Sequence, residues 1–245
     1  MLHKIKQTDN CNNLILFVHG FTGNGEDTWK NEKGEFFYNL LLEEKIINQN
    51  YDVMSFEYFS KLSNIYAKAK SAIGGIASLF PSIKSKSEKN NSIEEISNIL
   101  TSEIRFKLKQ YDNIVIIAHS MGGLISKSTI LDNYKKDQYS KIKLFLSLAV
   151  PHSGAAGAMI GKMISPNLQI HDLSPLSQIV SELNNGWVQT TIKPDIKYFY
   201  GTHDGIVKKK VQLEQIQLNK ISLLVMIITQ RCVNHPQRMK SHIKQ

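Results

Sequence analysis

The sequence is poor in the residues and segments that mark several classes of protein. Its 245 residues include two cysteines, Cys11 and Cys232, which are too few for a disulfide framework and lack the spacing of a zinc site. The longest apolar runs, 144–150 and 221–228, are too short to span a bilayer. Segment 1–13 has no apolar core of a signal peptide, so we expect a cytoplasmic location.

Arginine is scarce although the chain is basic. The formal net charge is +9, and only three of the 30 basic residues are arginine. The lysines are spread along the chain, with no stripe of interleaved aromatic residues and no nucleic-acid-binding motif, so we expect no nucleic-acid partner. Peripheral contact with an anionic membrane, through the lysine excess and residues 65–80, stays open as an alternative.

Short and long apolar segments alternate along the chain. Short apolar runs predict five strands, at 13–19, 51–59, 114–118, 143–150 and 196–201. Longer periodic stretches predict three helices, at 29–47, 93–110 and 121–134. Strands that are apolar throughout are typical of a parallel sheet covered on both faces. The sequence therefore predicts an α/β protein with a mostly parallel central sheet flanked by helices.

Two stretches interrupt this alternation inside what we expect to be a single domain over 1–245. They are residues 60–92 and residues 154–194. In a parallel α/β sheet, ligands bind at the edge formed by the carboxyl ends of the strands. We therefore expect both stretches to be insertions that form a cap or lid over that edge.

The segment "IAHSMGG", residues 117–123, puts a serine between a predicted strand and a predicted helix. A sharp turn there would expose the Ser120 hydroxyl and aim the helix N-terminus at it, provided that the residues two before and two after are small. Ala118 and Gly122 meet this condition. A reactive serine also needs a base and an oxyanion site. A serine that only caps the helix is the alternative interpretation.

A second segment supplies a candidate for the oxyanion site. The first predicted strand ends in His19-Gly20-Phe21, and a loop containing glycine follows. Backbone N–H groups just after a strand and at the start of a helix form oxyanion holes. We expect the N–H groups of Phe21 and Met121 to bind the oxyanion, with His19, Gly20 and Gly122 in supporting positions. A plain glycine turn is the alternative.

Four segments together resemble a known superfamily. They are "FVHGFTGNGEDTW", "IAHSMGG", "LAVPHSG" and "YGTHDGIV". Their order and spacing are similar to those of the lipase/esterase branch of the α/β-hydrolase superfamily, which includes serine esterases and GPI-inositol-deacylase-like (PGAP1-like) proteins. The resemblance covers residues 13–207. It implies an α/β-hydrolase fold with an eight-stranded sheet, a Ser-acid-His triad, an acyl-enzyme on Ser120, a small-molecule or lipid ester as substrate, and no cofactor.

The resemblance also implies the partners of Ser120. Asp204 follows a late predicted strand, where the family has its acid, and would hold the base in the required tautomer. The base must follow the acid in the chain; His235 is the candidate and His242 the alternative. A catalytically impaired protein that acts as a binding module is a rival interpretation, since no small residues precede His235. An acyltransferase, peptidase or amidase on the same triad is another.

The C-terminal segment 208–245 departs from the family pattern, which places a glycine shortly before the histidine. It begins with the lysine run Lys208–Lys210. Because a run of lysine codons favours slippage of the reading frame, a frameshift at this run is a further hypothesis. The nucleotide sequence of the gene tests it.

Overall fold

The central feature of the computed structural model is a six-stranded sheet with the order β1-β3-β2-β4-β5-β6. The structure describes residues 1–20, 28–31, 33–58, 91–136, 140–150, 174–191 and 193–199. The strands are β1 Leu2–Lys6, β2 Asn13–Val18, β3 Asp52–Phe56, β4 Asn113–His119, β5 Ile142–Leu148 and β6 Asp195–Phe199. β1 runs antiparallel to β3, and the other neighbouring pairs are parallel. The predicted α/β class with a mostly parallel sheet is confirmed.

Helices cover both faces of this sheet. They are α1 Phe37–Leu42, α2 Lys45–Asn50, α3 Asn91–Ser102, α4 Met121–Lys136 and α5 Ser174–Gln189, and a π-helix, Glu103–Lys107, continues α3. In β2, Leu14, Leu16 and Val18 join an apolar cluster with residues of α3, α4 and α5. Ile15 and Phe17 join a second cluster with residues of α1 and α2. Burial on both faces explains why the central strands are apolar throughout.

The helix predicted over 29–47 is wrong, because the chain turns before α1. The side-chain oxygen of Asn31 accepts hydrogen bonds from the backbone N–H groups of Lys33 and Glu35, at 3.0 and 2.8 Å. Gly34 has a φ of +85°, which glycine adopts without strain. An asparagine that binds nearby backbone in this way offers the chain an alternative to helix. A second break follows at Glu44, whose backbone is extended, so two short helices, α1 and α2, replace the long one.

The second predicted insertion contains a helix that packs onto the core. α5 lies in the stretch 154–194, and its Val180 and Trp187 belong to the same apolar cluster as α4. Residues 60–90 and 151–173 lie outside the described residues. A cap or lid therefore stays a prediction.

A buried lysine lies where α4 and α5 meet. Lys127 is 2% exposed, and its Nζ donates a hydrogen bond to Oδ1 of Asn184 at 2.5 Å. The same Nζ lies 5.2 Å from the centre of the Trp187 ring, and Nζ of Lys193 lies 5.7 Å from that ring. Burial, together with the positive charge of Lys193, lowers the pKa of Lys127 from 10.5 to about 8.

This lowered pKa predicts a stability that rises with pH. Between pH 8 and 10.5 the unfolded protein binds more protons at Lys127 than the folded protein does, so the free energy of unfolding increases across that window. Replacement of Lys127 by methionine, which has a similar volume, should remove this increase. Urea unfolding of both proteins at about pH 7 and about pH 9.5 measures the change in the free energy of unfolding between these pH values. This change should be more positive in the wild type than in Lys127→Met by an amount on the order of 1 kcal/mol. An equal change in the free energy of unfolding in the two proteins would contradict the prediction.

Candidate active site

Ser120 forms the turn between β4 and α4, at the carboxyl edge of the sheet. Its φ of 52° lies in the left-handed region, which residues other than glycine adopt only at a cost. Its N–H donates to the carbonyl of Leu148 at the end of β5, at 3.0 Å, and its own carbonyl accepts from the N–H of Gly123 at 2.9 Å. Bonds to a neighbouring strand and to the first turn of α4 therefore hold the strained conformation in place.

Gly20 lies directly against Ser120. It follows β2, whose Val18 pairs with Ala118 of β4. A Cβ atom on Gly20 would lie 3.0 Å from the Cβ of Ser120 and 3.0 Å from Nδ1 of His119. A side chain at position 20 would push these neighbours aside by a few tenths of an ångström, whereas glycine allows this close approach of the backbone without that shift. The structure thus brings together the two segments that the sequence analysis singled out, although they are about a hundred residues apart.

Gly122 allows the first turn of α4 to rest on the end of β2. A Cβ atom there would lie 2.2 Å from the carbonyl oxygen of His19 and 2.6 Å from that of Val18. The next residue, Gly123, is equally confined, because its Cβ would lie 2.1 Å from a methyl carbon of Val150. The small residue expected two positions after Ser120 therefore has a physical cause, which is the backbone of the adjacent strand.

α4 begins at Met121, directly after Ser120. The first N–H groups of a helix have no partner within it, and the helix dipole adds partial positive charge at this end. The Met121 side chain is fully buried in the apolar cluster beneath the sheet edge. Its backbone N–H is therefore at the electropositive end of α4, in the residue that directly follows Ser120.

His19 is held at the end of β2 by Tyr58, a residue that follows β3. Their rings stack with centroids 4.2 Å apart and planes 8° from parallel. The Tyr58 hydroxyl donates to the His19 carbonyl at 2.8 Å, and the Tyr58 N–H donates to Nε2 of His19 at 3.3 Å. Nδ1 of His19 lies 2.7 Å from the carbonyl oxygen of Gly20. The sequence analysis expected a supporting place for His19 but missed Tyr58.

Comparison with known proteins gives the family. Residues 12–233 match the family described as PGAP1-like alpha/beta domain. The chain belongs to this family. The resemblance that the four sequence segments carry is thereby confirmed, and the parallel sheet with its flanking helices is an α/β-hydrolase fold.

Three further proteins are similar to this PGAP1-like domain. Protein SERAC1 of Mus musculus is 21% identical over 248 residues, which cover 90% of this chain and 35% of SERAC1. The chain thus spans about a third of the length of that curated relative. The mature lipase BlEst2 of Bacillus licheniformis is 15% identical, over 88% of this chain and 80% of that one, with a TM-score of 0.48. The Pyrococcus furiosus esterase PF2001 is 11% identical, over 94% and 91%, with a TM-score of 0.47.

Several expected site residues lie outside the described part of the PGAP1-like domain. They are Phe21, Asp204 and His235, together with the alternative base His242. Their roles stay predictions. Within the residues that are described, no group of three or more His, Cys, Asp or Glu side chains is arranged to hold a metal ion. In the same part of the chain, no helix is both long and apolar enough to cross a membrane.

Proposed function

We propose that this PGAP1-like domain is a serine hydrolase that cleaves an ester or related acyl bond with Ser120 as nucleophile. The observation that supports this most is the φ of 52° at Ser120. A serine that only caps a helix has extended backbone angles, so the capping alternative does not account for this conformation. Backbone strain of this kind persists where the surroundings impose it, and it is concentrated at functional sites.

The reaction follows from the chemistry of an activated serine. Oγ of Ser120 attacks the acyl carbon while the base, proposed to be His235, takes the hydroxyl proton. The C–O bond to the leaving alcohol then breaks, and the base gives the proton to the alcohol oxygen. Water attacks the acyl-enzyme in the same manner and releases the carboxylic acid and free Ser120. Asp204 is proposed to orient the base and to stabilise its charged form.

The oxyanion formed in each step needs donors that are already in place. We assign this role to the N–H groups of Met121 and Phe21. Such preorganised donors commonly supply the largest single contribution to catalysis in acyl transfer. The close contact of Gly20 with Ser120 supports the assignment, because it brings the end of β2 to the reacting side chain.

Covalent labelling tests this function without knowledge of the substrate. A fluorophosphonate reacts with a serine only when the base and the oxyanion site work together. We expect one adduct per chain on the native protein, located by mass spectrometry on the peptide that carries Ser120. Heat-denatured protein should take no label, and Ser128→Ala, which alters a serine of α4 that is bonded to Ser97, should label normally.

Two results of this experiment would contradict the proposal. An adduct on another residue would refute Ser120 as the nucleophile. A folded protein that takes no label at all would favour the rival interpretation, a hydrolase fold that has lost its base and serves as a binding module.

A further inference from the structure

One peptide group connects His19 to the proposed oxyanion site. The carbonyl oxygen of Gly20 lies 2.7 Å from Nδ1 of His19. That carbonyl belongs to the peptide group linking Gly20 to Phe21. Because a peptide group is planar, a contact that holds a carbonyl restricts the direction of the N–H in the same group. This N–H is one of the two oxyanion donors in the proposed function.

The hydrogen bonds around His19 require one tautomer of its ring. Nδ1 faces a carbonyl oxygen and must therefore carry the proton. Nε2 faces the backbone N–H of Tyr58 at 3.3 Å and must therefore be an acceptor. A neutral imidazole protonated on Nδ1 satisfies both contacts, and the other tautomer satisfies neither. The N–H of Tyr58 thus selects the form of His19 that can donate to Gly20.

Tyr58 also fixes the position of the His19 ring and backbone. The stacked rings are 4.2 Å apart, and the Tyr58 hydroxyl donates to the His19 carbonyl at 2.8 Å. Because β3 and β2 are parallel neighbours, this pair joins two strand ends at the edge where Ser120 lies. Burial raises the pKa of the Tyr58 phenol, so the hydroxyl keeps the proton that it donates.

We propose that Tyr58 is a positioning residue for the oxyanion site, which acts by holding His19 in the orientation and tautomer that orient the Gly20–Phe21 peptide. This inference rests on the proposed function. Oxyanion stabilisation operates in the transition state and not on bound substrate. Removal of the contacts between Tyr58 and His19 should therefore lower kcat and leave KM unchanged. A distorted substrate pocket would instead raise KM.

Two conservative variants test the proposal with a p-nitrophenyl acyl ester as substrate. Tyr58→Phe keeps the stacked ring and removes the hydroxyl, and we expect kcat to fall about three- to tenfold at unchanged KM. His19→Phe keeps an aromatic ring and removes both nitrogens, and we expect a fall of about 10²-fold. Tyr134→Phe is the matched control, since its hydroxyl also donates to a backbone carbonyl, that of Ile142 at 3.2 Å, at the opposite end of β5. Its kcat should not change.

Nitrogen-15 NMR measures the tautomer of His19 independently of activity. The His19 signals, assigned by their loss in His19→Phe, should show a proton on Nδ1 in the wild type. Should His19→Phe fail to fold, assignment of the wild-type backbone serves instead, and Tyr58→Phe provides the kinetic test. A proton on Nε2, a rise in KM at constant kcat, or a Tyr58→Phe protein as active as Tyr134→Phe would overturn the positioning role.

The inference and the proposed function fail in different ways. If the wild type labels at Ser120 but Tyr58→Phe has full kcat, the hydrolase proposal stands and the role of Tyr58 is refuted. If the folded wild type neither labels nor turns over the ester, the proposed function is refuted, and the positioning role is refuted with it.

Discussion

Replacement of Ser120 by alanine is expected to lower kcat for an acyl ester by about 10⁴- to 10⁶-fold. The change removes the oxygen that forms the acyl-enzyme bond, so the two-step reaction is lost. The residual rate would come from direct attack by water, assisted by substrate binding and by the oxyanion donors that remain. Burst kinetics with a p-nitrophenyl ester, and the loss of phosphonate labelling, measure the effect.

Two variants at position 120 separate the loss of the hydroxyl from the effect of the strained backbone conformation. Alanine has the same steric penalty as serine at a φ of 52°, so Ser120→Ala should be about as stable as the wild type. Glycine has no such penalty, and Ser120→Gly should therefore be equally inactive but more stable by about 1 kcal/mol. Thermal unfolding compares the three proteins. Ser128→Ala should keep full kcat.

Substantial activity in Ser120→Ala would contradict the proposed mechanism. Retention of more than about one hundredth of the wild-type kcat exceeds what binding and oxyanion stabilisation supply without a nucleophile. Retained activity together with retained labelling would show that another residue is the nucleophile.

The features of this structure that could be predicted from the sequence are set by local constraints, namely the burial of individual strands and steric crowding at a turn. Parallel strands buried on both faces leave continuous apolar runs, so β2, β4 and β5 are recognisable from composition alone. The turn at Ser120 is recognisable because steric crowding restricts its immediate neighbours, and Gly122 meets that restriction against the backbone of β2.

The parts that the sequence did not predict depend on distant partners. β1 is a short edge strand with half-exposed and exposed residues, and pairing with β3 maintains it. Its sequence, "LHKIK", has no apolar run to mark it. The contact of Tyr58 with His19 joins residues 39 positions apart. No local pattern indicates which tyrosine will stack on that histidine, so this contact became visible only in the folded chain.

Replacement of Gly122 by alanine is expected to lower the free energy of unfolding by about 2–4 kcal/mol. The new Cβ would lie 2.2 Å from the carbonyl oxygen of His19 and 2.6 Å from that of Val18. Both are backbone atoms at the end of a strand paired on both sides, so neither can move aside as a flexible side chain would. The higher helix propensity of alanine offsets this by only about 1 kcal/mol, and the steric term therefore dominates.

The effect on catalysis should be as large as the effect on stability, because relief of this clash separates α4 from β2. Gly20 would then move away from Ser120, and we expect kcat to fall about 10²-fold. Gly186→Ala, within α5, is the matched control: its Cβ would lie at an ordinary 3.4 Å from a methyl carbon of Leu131 in α4, so it should stabilise the protein by up to about 1 kcal/mol. Urea unfolding and ester kinetics on both variants measure the contrast. A Gly122→Ala protein with wild-type stability and kcat would refute the close packing of these two segments.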